Sequence, residues 1–341
     1  MIKSGRRYVI GVDEAGYGPN LGPLSIGASI WQVPVAIDLA SFAVQLEPHF
    51  QAKRWQGCDR ETFVPLGDSK QLYQSGSSTE SLEIGVISLL QNARSFPAIA
   101  APCLWSELLQ HCNCLKLQPS VHQELLPWYA SLTATPSMPW QDAAMIIAGV
   151  AKRGLANLEI VFEGFQARLV DELLFNQGLK QYGSKGKLLS LNTLQLVKDA
   201  MESLPMRDVV GVEIYCDRHG GRSKYLELLH TMFEDVFFWI ESETSQESCY
   251  RAEWKGCPLR IRFTVGGDRF PPTSAASMIA KWLREVSMDH FNGFWQKRIA
   301  NLKPTAGYPV DAKRFIHDLK AADVWSSGKS LPSLETIWRQ A

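Results

Sequence analysis

The sequence predicts an α/β fold in which helices pack on a mixed sheet. Three observations lead there. The chain opens with two apolar runs joined by a link rich in glycine and proline, as a strand hairpin requires. Further apolar runs alternate with segments of 3.6-residue period in the second half. Two of the apolar runs, one early and one late, stop at acids followed by glycines. The chain has 341 residues, 45% hydrophobic and 21% charged, enough to bury a sizeable core. With no internal repeat and no Pro/Gly/Ser-rich break, it reads as one domain over 1–341.

Taken in order, Tyr8 to Val12 predicts a buried strand that ends in Asp13-Glu14-Ala15-Gly16. Leu24 to Trp31 is the next strand, and Tyr17 to Pro23 is the turn between them. Ser81 to Gln91 has helical spacing despite Gly85. Pro97 to Trp105 and Leu158 to Phe162 suit strands, and Gln141 to Lys152 suits a helix. Lys187 to Leu204 carries leucines at helical period. Val209 to Cys216 is a β-prone run stopping at Asp217, and Leu259 to Val265 is another, stopping at Gly266-Gly267-Asp268. Ser274 to Phe291 and Ala312 to Ala322 are predicted helices, within a helical C-terminal part over about 274–341.

Composition excludes some roles. Lys plus Arg and Asp plus Glu are both 35, so nucleic acid held only by diffuse charge is disfavoured. A local basic patch remains: from Pro271 onward ten Lys/Arg face six Asp/Glu, a net +4. The longest proline-free apolar run is Ala143 to Ala151, far short of the roughly 20 residues a spanning helix needs. No membrane role is expected, and the first apolar stretch, broken at Asp13, is not a signal peptide. The seven cysteines lack paired C-x-x-C spacing, which fits a reduced cytoplasmic compartment. His111-Cys112-Asn113-Cys114 reads as ordinary thiols, because no second ligand pair answers it.

The acids at strand ends carry the chemistry. Asp13 and Glu14 are neighbours, so in a regular strand they point to opposite faces; Gly16 and Gly18 would let the chain leave the strand and bring them together. Asp217 also follows an apolar strand and precedes Arg218-His219-Gly220-Gly221-Arg222-Ser223-Lys224-Tyr225, cations and glycines suited to phosphate. Glu285 lies on a helix whose Ala275, Ala276 and Ala280 allow close packing, and Asp289 shares its face. Several acids drawn to one place are costly without a cation, and two hard divalent ions there suit phosphoryl transfer.

At this point the chain resembles the type 2 ribonucleases H. The match is carried by Gly11-Val12-Asp13-Glu14-Ala15-Gly16-Tyr17-Gly18-Pro19 with Gly22-Pro23, by Asp68-Ser69-Lys70-Gln71-Leu72, by the strand ending in Asp217, by Ser274 to Glu285, and by Gly307-Tyr308-Pro309. The resemblance implies a ribonuclease H-like mixed sheet flanked by helices, with insertions near 33–60, 100–160 and 228–257. It implies a metal-dependent endonuclease that hydrolyses the RNA strand of RNA–DNA hybrids, or ribonucleotides in duplex DNA, with two Mg²⁺ or Mn²⁺ ions. Asp13, Glu14, Asp217 and Glu285 would be the catalytic metal ligands, Glu285 standing where the family has Asp. Gly16, Tyr17, Gly18, Lys70, Arg222, Lys281 and Tyr308 would meet the nucleic acid, and a monomer is expected. In the glycine turn Tyr17 replaces the family's arginine, removing a guanidinium contact to phosphate. The rival readings are a nucleic-acid-binding relative weakened in catalysis and an actin-like sugar kinase or ATPase.

Overall fold

The computed structural model describes residues 5–57, 63–74, 76–94, 125–134, 141–327 and 331–340. The strand expected over Pro97 to Trp105 and the His111–Cys114 segment lie outside these residues. The fold is mixed α/β, with helices on both faces of a seven-stranded sheet. Strand β1 (Arg6–Ala15) pairs antiparallel with β2 (Leu24–Pro34), which pairs antiparallel with β5 (Val161–Val170). Two short strands, β3 (Phe50–Gln51) and β4 (Val64–Pro65), pair separately. On the other side β1 runs parallel to β6 (Val209–Asp217), and β6 runs parallel to β9 (Cys257–Thr264). The hairpin β7 (Trp239–Glu243) and β8 (Glu247–Trp254) extends the sheet antiparallel to β9.

Alternation along β1 divides the core in two. Val9 packs in one apolar cluster, while Tyr8, Ile10 and Val12 pack in the other. The second cluster includes the leucines of the helix Lys185–Ser203, whose start is capped by the Ser184 hydroxyl. The first includes the long helix Pro271–Gln296, with Trp282 and Trp295 fully buried as core residues. Two prolines open that helix, where their missing N–H groups have no helical partner to lose.

Glycine sets how near the long helix comes. A Cβ on Gly11 would sit 2.0 Å from the Pro272 carbonyl carbon, and one on Gly27 would sit 2.4 Å from Ala276 O. The Ser29 hydroxyl donates to Pro272 O at 2.5 Å and takes a bond from the Trp31 indole N–H at 2.8 Å, fixing the helix start on β2.

The expected strand over Leu158 to Phe162 starts later and runs to Val170. The helix Gln141–Asn157 ends in a turn with Glu159 at φ 52°, and this turn uses Leu158 to Ile160. The helix Glu172–Tyr182 and the β7–β8 hairpin were not anticipated. Among the described residues, no helix is long and apolar enough to cross a membrane.

Candidate active site

Parallel strands bring their C-terminal ends to one edge of the sheet. In the β1–β6 ladder Val12 stands beside Cys216, and in β6–β9 Asp217 stands beside Thr264. The next residue of β1, Asp13, therefore sits level with Asp217. After β9 the chain turns through Gly266 at φ 65° into a short turn of 3-10 helix, Gly267–Arg269. The Gly267 N–H donates to Asp217 Oδ1 at 2.9 Å, which holds this turn and Asp268 against β6. A Cβ on Gly267 would lie 3.2 Å from the Asp217 Cα, so the approach is tight.

Asp13, only 8% exposed, lies against the long helix near Ser277, whose hydroxyl donates to Ser69 Oγ at 3.0 Å. Burial, and next the Asp217 carboxylate, push its pKa up to about 8. β1 stays regular through Glu14 and does not break between the two acids. They nevertheless act on one another at the open strand end: burial, then Asp13 and Asp217, hold Glu14 well above the carboxylate range. Asp217 is raised by burial, offset by the N–H groups of Gly267 and Arg218. Asp268 is raised by burial and by Asp68, the residue whose carboxylate caps the short helix Ser69–Leu72. Lys70 is the cation among them, 3.6 Å from Asp268 Oδ2, with a side chain 82% exposed. Burial alone would lower its pKa, but Asp68, Asp268, Asp13 and Asp217 outweigh it and raise it.

Glu285 is not brought to these acids. It stands eight residues beyond Ser277, about 12 Å along the helix. Its carboxylate is held by Lys281 at 2.5 Å, Arg284 at 3.2 Å and the Tyr73 hydroxyl at 2.8 Å. These cations outweigh its burial and hold its pKa below the ordinary value. Lys281, expected to face nucleic acid, is engaged by Glu285 and the Tyr73 ring. Asp289, raised to about 6 by burial and Glu285, belongs to the same neighbourhood. Asp268 takes the fourth place. Its signal was in the sequence: like Asp13 and Asp217 it follows an apolar strand, though two glycines stand between. Glu163, on β5, pairs with Arg94 at 2.9 Å and stays outside the cluster.

Of the residues expected to meet nucleic acid, Lys70 and Tyr17 lie beside the acids, whereas Lys281 does not. Tyr308, 49% exposed, lies with its ring 3.7 Å from the position a Cβ on Gly18 would take. Gly307 O accepts the N–H groups of Asn20 and Leu21, which locks the two glycine segments together. On the other side, Lys185 Nζ stands 4.8 Å over the Tyr17 ring. A cleft of about 470 Å³ is lined by Tyr17, Gly186, Gly220, Gly221, Arg222 and Lys224. Arg218, directly after Asp217, is structural: it donates to the carbonyls of Thr244 and Ser245 and to Ser248 Oγ.

No protein-family model matches the chain, and no curated protein matches it in sequence. Solved structures do. The chain resembles the type 2 ribonucleases H. One match is the RNase HII of a PCNA:RNase HII complex from Archaeoglobus fulgidus, at 10% identity and TM-score 0.38, covering 97% of this chain and 93% of that one. Another is ribonuclease H2 from Pyrococcus horikoshii OT3, at 13% identity and TM-score 0.39, covering 96% and 95%. A third is Bst-RNase HIII in complex with Mn²⁺, at 13% identity and TM-score 0.36, covering 98% of this chain and 69% of that one.

The donor set fits a hard divalent cation. Four carboxylates lie along one sheet edge, three of them from the ends of two parallel strands and one from the turn after a third, and they are oxygen donors of the kind such ions take. Their mutual repulsion and burial favour protons or metal over bare charge. As they stand, among the described residues, no three such side chains already close around one point.

Proposed function

We propose that this chain is a divalent-metal-dependent endonuclease acting on the RNA strand of RNA–DNA hybrids or on ribonucleotides within duplex DNA. The observation that carries the reading is the meeting of Asp13, Glu14, Asp217 and Asp268 at the ends of three adjoining parallel strands, with Lys70 beside them. Asp13, Glu14, Asp217 and Asp268 would be the residues that hold the Mg²⁺ or Mn²⁺ ions. Bound ions of this kind activate water and stabilise the leaving oxygen of a phosphodiester. Lys70 would steady a phosphate oxygen. The Gly16–Tyr17–Gly18 turn and the Tyr308 ring would hold the sugar and base next to the cut, through backbone N–H groups and stacking. Arg222 and Lys185 would meet the backbone beyond it. The substrate class rests on the motifs of the glycine turn, the Asp68–Leu72 segment and Gly307-Tyr308-Pro309.

An actin-like kinase would need an adenosine-binding glycine motif in its C-terminal half; Gly266-Gly267-Asp268 is too short for one and is folded onto Asp217. The test is cleavage of a labelled RNA–DNA hybrid, and of a duplex with one embedded ribonucleotide, in Mg²⁺ or Mn²⁺. Cut products that disappear in Asp13→Asn support the proposal. No cleavage of either substrate by the wild type, or full activity in Asp13→Asn, removes it.

A further inference from the structure

A guanidinium lies sealed beneath the glycine turn. Arg339 is 0% exposed, and its Nη1 donates to Gly16 O at 2.7 Å and Gly22 O at 3.2 Å, while Nη2 reaches Tyr17 O at 3.4 Å. Its flat face lies 3.8 Å from the Phe175 ring centroid. The backbone around it is tied from both sides. Arg339 N–H donates to Asn20 O at 2.8 Å, and the Asn20 amide returns a bond to Arg339 O at 3.1 Å. Gln340 N–H donates to Asn176 Oδ1, and the Asn176 amide donates to Trp338 O.

The nearest partners of this cation are neutral carbonyls. Burial pulls its pKa down to about 9, with Arg284 adding to the effect. Taking a charge out of water this way is costly, so the three carbonyls and the Phe175 face must be held well in return. Their direction has a consequence. A planar trans peptide points its C=O and the following N–H in opposite directions. With Gly16 O and Tyr17 O turned in to the guanidinium, the N–H groups of Tyr17 and Gly18 turn out, toward the side where Gly18 is exposed and Tyr308 stands.

We infer that Arg339 is a positioning residue that holds the Gly16–Tyr17–Gly18 turn with its N–H donors presented to the nucleic acid. It touches no substrate itself. The inference rests on the proposed role of that turn, and it makes the segment 338–340 part of the site's framework.

The test uses the full chain with Arg339→Ala and Arg339→Lys, the latter keeping charge without the planar fork. Hydrogen exchange is read on peptides spanning residues 14–24, and hybrid cleavage is read as separate kcat and KM. In Arg339→Ala, or in Arg339→Lys should the alanine variant not fold, exchange at 16–22 speeds by about tenfold or more. KM rises at least as much while kcat and Mn²⁺ affinity change little, and millimolar methylguanidinium restores part of the loss in the alanine variant. Unaltered exchange at 16–22, or unchanged KM, overturns the inference. If the wild type neither binds nor cuts the hybrid, the proposed function fails, and the exchange measurement alone decides whether Arg339 holds the turn.

Discussion

The Gly267 N–H donates to Asp217 Oδ1 at 2.9 Å, tying the turn after β9 to the end of β6. Because of that bond, Asp268 and not Glu285 stands with Asp13, Glu14 and Asp217. The two residues should behave differently on substitution. Asp268→Asn is expected to lower kcat by on the order of a hundredfold or more and to weaken Mn²⁺ binding. Glu285→Gln leaves Lys281 and the buried Arg284 short of a counter-charge, so it should cost about 1–3 kcal/mol of stability with catalysis largely kept. Calorimetric Mn²⁺ titration and thermal melts of both variants check this; equal loss of metal binding in Glu285→Gln would contradict the assignment.

Crowded acids trade stability for chemistry. In chelator, Asp13→Asn removes one repelling carboxylate from a buried cluster, so the variant should melt a few degrees above the wild type while losing activity. Adding Mn²⁺ should raise the wild-type melting temperature more than that of the variant. A variant less stable than wild type in chelator would count against crowding as the reason for the raised pKa.

The glycines under the long helix give a stability prediction with its own control. Gly11→Ala drives a methyl into the Pro272 backbone, where no flexible side chain can yield, and should cost about 1–3 kcal/mol or more. Activity should fall with it, since any shift of the helix start moves Asp268. Gly293, in the same helix, has open space where a Cβ would go. Gly293→Ala should stabilise by about 0.4–1 kcal/mol. Denaturant melts of the pair decide the matter.

Glu172 links stability to pH away from the site. It is fully buried beside Asp171, accepts a bond from the Tyr129 hydroxyl at 3.1 Å, and is raised to about 8, chiefly by burial. The folded state thus holds this proton more tightly than the unfolded chain. Its contribution is complete below the ordinary glutamate pKa near 4.5 and is lost as pH rises to about 8. Glu172→Gln should flatten that decline by up to a few kcal/mol, with the variant the more stable protein at pH 8. Chemical denaturation from pH 5 to 9 measures the slope; identical slopes would show that Glu172 is ionised in the fold.

Much of this was legible in the residues. β1, β2, β6 and β9 were readable because apolar runs buried on both sides stop sharply at acids, prolines and glycines. β8 was not: Glu247–Trp254 has one largely wet face and reads as polar, although Ser248, Tyr250 and Ala252 at alternate positions are buried. The helix Glu172–Tyr182 was hidden by Gly178 and a thin apolar stripe. Asp13, Glu14 and Asp217 were found from strand ends alone. Asp268 is hard to single out because two glycines separate it from the end of β9 and Pro271-Pro272 follow closely, whereas Glu285 stands in a recognisable motif. Linear spacing does not reveal that a helix has carried an acid a dozen ångströms away, nor that Lys281 and Arg284 wait there to neutralise it.

The ladder of β1, β6 and β9 has one more consequence. Neighbouring strands lie about 4.8 Å apart whatever joins them. The rungs therefore set the distance between Asp13 and Asp217, and the Gly267 bond brings Asp268 to them. The β7–β8 hairpin lies between β6 and β9 in the chain but pairs on the far side of β9, so it does not enter the ladder between Asp13 and Asp217. The outermost strands can therefore flex without shifting the pair of carboxylates that the inner rungs keep abreast.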